Sequence, residues 1–143
     1  MAYVASLSQP GKARIITSRV IQGILAAAFV AAATAKLIGV PMMIQVFDAI
    51  GLGQWFRIVT ALVEIGGAAA LLIPGFATFG ALWLAVTMFF ATLTHLFILH
   101  TSAAPAVLLL ALNLVVVWLR REQLERLRTI LGWAASGRAG RIP

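Results

Sequence analysis

The chain has 143 residues, of which 62% are hydrophobic and 10% charged, with a mean hydropathy of +1.03. Soluble domains carry about 25% charged and roughly 45–50% apolar residues, so this composition excludes a water-soluble domain and points to an integral membrane protein. Cysteine is absent, which removes disulfides, thiolate metal sites and redox-active cysteine pairs, and the net charge of +7 is carried by basic residues flanking apolar segments, which suits anionic lipid rather than nucleic acid.

In chain order, the first spanning segment is expected at 20–39, rich in alanine (Ala26-Ala27-Ala28 and Ala31-Ala32-Ala33). A cleaved signal peptide is the competing reading, since a basic start, an apolar stretch and Ala33-Thr34-Ala35 imitate a cleavage site, but the apolar run is long for one. After Pro41, the residues Met43, Val46, Phe47 and Ile50 recur at helical spacing with Gln45 and Asp48 opposite. That pattern predicts a short interfacial helix over 42–50, ended by Gly51 and Gly53. Trp55-Phe56-Arg57 then supplies an aromatic and cationic anchor.

The second span is expected at 58–73, closed by the turn signal Pro74-Gly75, the third at 76–99 and the fourth at 103–119. About 20 helical residues cross the ~30 Å hydrocarbon layer, so the second and fourth are short and need interfacial residues to complete them. Beyond them a basic amphipathic helix is expected over 120–132, with Leu124, Leu127 and Leu131 on one face and Glu122 and Arg126 spaced for an i, i+4 pair. Lys12, Arg14 and Arg19 precede the first span, and Arg120, Arg121, Arg126, Arg128, Arg138 and Arg141 follow the last. By the positive-inside rule both ends are cytoplasmic, which requires an even number of crossings. The expected fold class is all-α, a membrane-spanning four-helix bundle, N-in/C-in, with short interfacial helices, in the cytoplasmic membrane of a bacterium.

Within the apolar segments, Glu64 is the costly residue, because a carboxylate at mid-membrane is unfavourable by roughly 2.5 to 3.5 kcal/mol on insertion scales and so needs a partner, a cavity or a substrate. It lies seven residues after Arg57, about 10 Å along a helix. His95 lies five residues before His100, roughly 7 to 8 Å below the end of its segment, and Lys36 sits about one turn from the end of the first. All three are expected in the outer third of the bilayer. Around Glu64 the residues at three- and four-residue offsets are Thr60, Ala61, Gly67 and Ala68, all small, which marks a face packed on other helices.

The structural alternatives are equally specific. Glu64 forms a buried ion pair with Lys36 or Arg57, or Lys36 snorkels to the interface, or His95 is a neutral histidine bonded to a carbonyl. Asn113 reads as a hydrogen-bonding helix glue, His100 as a solvated loop residue and Phe89-Phe90 as lipid contact or core. Two histidines five apart make no metal motif.

The pattern Ala35-Lys36-Leu37-Ile38-Gly39 with Pro41, then Phe47 through Ile50-Gly51, Trp55-Phe56-Arg57, Glu64-Ile65-Gly66-Gly67-Ala68 and Thr94-His95 resembles the DoxX-like family of small four-helix integral membrane proteins. The resemblance covers roughly Ser18 to Trp118 and implies membership of the broad group around the small subunit of thiosulfate:quinone oxidoreductase. The polar positions it carries over are Lys36, Glu64 and His95, while the lack of cysteine departs from its disulfide-forming relatives.

Three functions are therefore expected to compete. In the first, an outer pocket binds a lipophilic redox ligand, quinone-like, as part of an oxidoreductase system; Lys36 or His95 donates to its carbonyl oxygens and Glu64 exchanges a proton. In the second, a small acid–base hydrolase or isomerase acts on a hydrophobic substrate, with Glu64 as base and His95 or Lys36 as donor; on either reading Glu64, His95 and Lys36 are the catalytic candidates. In the third, the chain is a non-catalytic accessory subunit whose ion pair holds helices together. The expected partners are membrane lipid, a second copy or a larger membrane complex against the alanine-rich first helix, and a lipophilic small molecule, with no nucleic acid.

Overall fold

The computed structural model describes residues 11–126, and within them every regular element is helical. Five helices follow in order: α1 (Lys12–Ile38), α2 (Pro41–Ile50), α3 (Gln54–Leu72), α4 (Ala77–Phe97) and α5 (Ala104–Leu119). Residues 121–126 are again helical after a break at Arg120. By length and apolar composition α1, α3 and α4 can each cross a membrane, whereas α5, equally apolar, has 16 residues. The expected amphipathic helix over 120–132 lies partly outside the described residues.

Two helices begin earlier than hydropathy alone indicates. α1 starts at Lys12 and α3 at Gln54, because Arg14, Arg19 and Arg57 are compatible with helix although not with lipid. Apolar run and helix are different boundaries. Gly39 closes α1 in the left-handed conformation (φ 74°), with its N–H bonded to the carbonyls of Ala35 and Lys36, and Pro41 then opens α2 at its first position. On α2 Phe47 is buried and Met43, Val46 and Ile50 are half-buried, while Gln45 and Asp48 are exposed. Phe47 meets Phe56 of α3 edge-on at 5.9 Å.

α1 packs on α3, α3 on α4, α4 on α5, and α5 returns to α1. The core between them contains Leu25, Phe29, Leu71, Leu84 and Val116, each at most 1% exposed. Small residues set the spacing of α3 and α4: a Cβ on Gly80 would stand 2.6 Å from the Leu71 nitrogen and 2.8 Å from the Ala70 carbonyl carbon. Only glycine permits that approach of two backbones. The outward faces carry Val20, Ile24, Leu62, Phe79, Trp83, Phe89 and Phe90, all exposed, as a chain surrounded by lipid requires.

Arg14, near the start of α1, donates to the carbonyl of Trp118 at 3.1 Å, so the beginning of α1 and the end of α5 lie at the same end of the molecule. Lys36 is 22 residues further along α1, about 33 Å at 1.5 Å per residue, close to the hydrocarbon thickness. The helices thus separate two polar clusters by roughly one membrane core.

Candidate functional site

The seam between α1 and α3 holds the polar group that sequence singles out. Glu64 is 4% exposed, flanked on the same face by buried Ala61, Gly67 and Ala68. Across the seam the Lys36 ammonium of α1 reaches both carboxylate oxygens, at 3.0 Å to Oε1 and 2.9 Å to Oε2. The side chains are 13% and 5% exposed respectively. Lys36 therefore points into the seam and does not snorkel out along lipid; the cost of burying its charge is offset by the partner.

Arg57, two turns before Glu64, lies on the same seam. Its guanidinium passes over the C-terminal end of α1, and a Cβ on Gly39 would stand 3.2 Å from Nη1 and 3.3 Å from Nη2. A cation at this position favours the negative end of the α1 dipole. Nε donates to Gln54 Oε1 at 2.7 Å, and Gln54 in turn donates to Asp48 Oδ1 at 2.7 Å and to the Ile44 carbonyl at 3.0 Å, tying α2 to α3. Arg57 Nη1 is buried and has no hydrogen-bond partner. Arg57 is not the counter-ion of Glu64; Lys36 is.

His95 lies in the last turn of α4, and its Nδ1 is 2.8 Å from Thr101 Oγ1 in the connection to α5. Among the described residues no hydrogen bond joins it to Lys36 or Glu64, so the structure brings two of the three candidates together and turns the third to its own loop. His100 is exposed, with a left-handed backbone (φ 50°). Asn113 is fully buried, yet its amide donates to the Leu109 carbonyl of its own helix at 2.8 Å instead of bonding a neighbouring helix, and its Oδ1 has no partner. Among the described residues no group of three or more His, Cys, Asp or Glu could hold a metal ion.

A second cluster, at the opposite end, was not singled out from sequence. Ser18, fully buried, accepts from Gln22 Nε2 at 2.7 Å and from Arg120 Nε at 2.8 Å. Arg14 pairs with Glu122 at 3.0 Å and lies 5.9 Å from the Trp118 ring centroid, with Arg121 5.4 Å from the same centroid. Glu122 thus reaches across to α1, where sequence suggested a pair with Arg126. The Thr78 hydroxyl of α4 sits 3.0 Å from the Arg120 carbonyl and 2.9 Å from Gln123 Oε1. The available signal is the four-residue spacing of Arg14, Ser18 and Gln22, which aligns three polar groups on one face of α1.

With this geometry established, comparison with known proteins decides the family. The DoxX-like family model matches residues 20–119. The chain belongs to the DoxX-like family. No curated protein and no solved structure matches it. Lys36, Glu64 and His95 all fall within the matched region, whereas Arg14, Ser18, Arg120 and Glu122 lie outside it. Family and apolar helices together make this DoxX-like protein a small integral membrane protein.

Proposed function

We propose that this DoxX-like protein is a non-catalytic accessory subunit of a larger membrane complex, in which the Lys36–Glu64 pair locks α1 to α3. In this reading α1, α3, α4 and α5 form a four-helix bundle spanning a bacterial cytoplasmic membrane, with both described ends cytoplasmic. The basic residues gathered where α1 starts and α5 ends support that orientation under the positive-inside rule. The observation that carries the functional reading is that both Glu64 oxygens are taken by Lys36, while His95 is engaged with Thr101. A carboxylate so paired neutralises a buried cation and fixes helix register, and among the described residues no other side chain hydrogen-bonds it.

One observation favours a second reading, the quinone-like ligand of an oxidoreductase system. Arg57 Nη1 is a buried, unpartnered donor on the same seam, and the carbonyl oxygen of a lipophilic molecule is an acceptor it lacks. One experiment separates the two. Replacing the pair by apolar side chains of similar size, Lys36→Met with Glu64→Leu, removes the charges without leaving one unpaired. The accessory reading expects this double variant to fold, to assemble with the same partners and to carry the same lipid-extractable molecules as wild type. Loss of an extractable quinone from the folded, assembled double variant, or from a folded Arg57→Gln variant, selects the ligand reading instead.

A further inference from the structure

We infer that the end of the molecule where α1 begins and α5 finishes is a binding site for the phosphate of an anionic phospholipid, held by Arg120 and Arg19 beside Arg14. This inference requires only insertion in a membrane and is independent of the role of Lys36 and Glu64.

The first support is charge imbalance at short range. Among the described residues this end carries six cations (Lys12, Arg14, Arg19, Arg120, Arg121, Arg126) and two carboxylates (Glu122, Glu125), an excess of four. Arg19 and Arg14 stand close enough for their charges to act on Arg120. Burial first, and next the charge of Arg19, hold Arg120 below the ordinary guanidinium pKa; Glu122 acts in the opposite sense, and Arg14 adds to the lowering. Arg120 stays protonated at any physiological pH, so the repulsion is relieved by an anion and not by losing a proton.

The second support is preorganisation. Arg120 is pinned from two helices, its Nε on Ser18 of α1 and its carbonyl on Thr78 of α4. Among the described residues no hydrogen bond takes the terminal fork of the guanidinium, and a guanidinium fork matches phosphate oxygens in two parallel hydrogen bonds. Arg14 is likewise fixed, by Glu122 and the Trp118 carbonyl. Ordering these long side chains beforehand lowers the entropic cost of capturing the anion. The third support is depth: Trp118, 61% exposed beside the cluster, is the residue type that settles at the headgroup level, where phosphate is the abundant anion.

The test uses the full chain in nanodiscs of phosphatidylcholine alone or of equal parts phosphatidylcholine and phosphatidylglycerol, with retained lipids counted by native mass spectrometry and melting followed in parallel. Wild type should retain phosphatidylglycerol several-fold over phosphatidylcholine and melt at higher temperature with it present. Arg19→Gln, at an exposed position, should lower that preference, and Arg19→Gln with Arg120→Gln should abolish it. Lys12→Gln, the same charge change at the same end, should leave it nearly intact. Equal retention of both lipids by wild type, or an equal loss in Lys12→Gln, overturns the site. Stabilisation by inorganic phosphate in phosphatidylcholine alone, matching that by phosphatidylglycerol, overturns the lipid as its source.

Discussion

Lys36 and Glu64, 28 positions apart and on different helices, meet with the ammonium 2.9 Å and 3.0 Å from the two carboxylate oxygens. Around Glu64 the face of α3 is made of the buried small residues Ala61, Gly67 and Ala68, of which Gly67 leaves room for Leu84 of α4. The energetics of the contact are asymmetric: the pair adds little net stability over an apolar pair, yet either member alone is a buried uncompensated charge.

Accordingly Glu64→Leu and Lys36→Met should each destabilise the protein in detergent by about 3–5 kcal/mol, while the double variant Lys36→Met, Glu64→Leu should recover most of that loss. Unfolding of the three variants by denaturant checks this. Additive losses would show that the two side chains act separately.

His95 is bonded to Thr101, and among the described residues no hydrogen bond joins it to the ion pair. In a double-mutant cycle, His95→Ala and Glu64→Gln should therefore be additive within roughly 0.5 kcal/mol, as separated sites are. A larger coupling would place His95 in the Lys36–Glu64 unit after all.

Glycine at 80 faces backbone, whereas glycine at 67 faces the Leu84 side chain, where a Cβ would stand 2.5 Å from Cδ2 and 2.6 Å from Cγ. Gly80→Ala should thus cost more than Gly67→Ala, within the roughly 1–3 kcal/mol typical of overpacking. Thermal melting of the two variants orders them; the reverse order would mean that α3 and α4 yield more readily than Leu84 does.

At the basic end Ser18→Ala should cost more than Glu122→Gln. Removing the hydroxyl strands Gln22 and Arg120 donors in a buried place, worth about 1–3 kcal/mol, whereas the Arg14–Glu122 pair is about a quarter exposed and such pairs contribute roughly 0–1 kcal/mol. Equal effects in denaturant unfolding would contradict this ranking.

Orientation is open to a direct measurement because the chain has no cysteine to create background. Single variants Ser102→Cys and Lys12→Cys, both at exposed positions, should differ in intact cells: a membrane-impermeant maleimide should label the former and not the latter. Labelling of Lys12→Cys alone would invert the proposed topology.

Much of the fold was legible because hydropathy, proline, glycine and basic residues act locally. The α2 helix could be read from Pro41, the spacing of Met43, Val46, Phe47 and Ile50, and Gly51, all within eleven positions. The inward face of α3 was legible from small residues at three- and four-residue offsets from Glu64. Ser18 and Gln22 are not legible, for the opposite reason. Each is unremarkable in its own segment, and the partner that gives Ser18 a role, Arg120, is 102 positions away.

Sequence by itself determined that this is an apolar helical chain of the membrane, that Glu64 needs a partner, and that one end is basic, because the exclusion of charge from lipid depends on residue type alone. Only the tertiary structure decided which cation answers Glu64, that His95 turns to Thr101, that Glu122 crosses to Arg14 instead of pairing along its own helix, and that Arg120 is pinned between α1 and α4. Those choices depend on how each helix is rotated and how closely it approaches its neighbours. Rotation and approach are set by the packing of Gly80, Leu84, Leu71 and Phe29 across helix faces, which no single segment encodes.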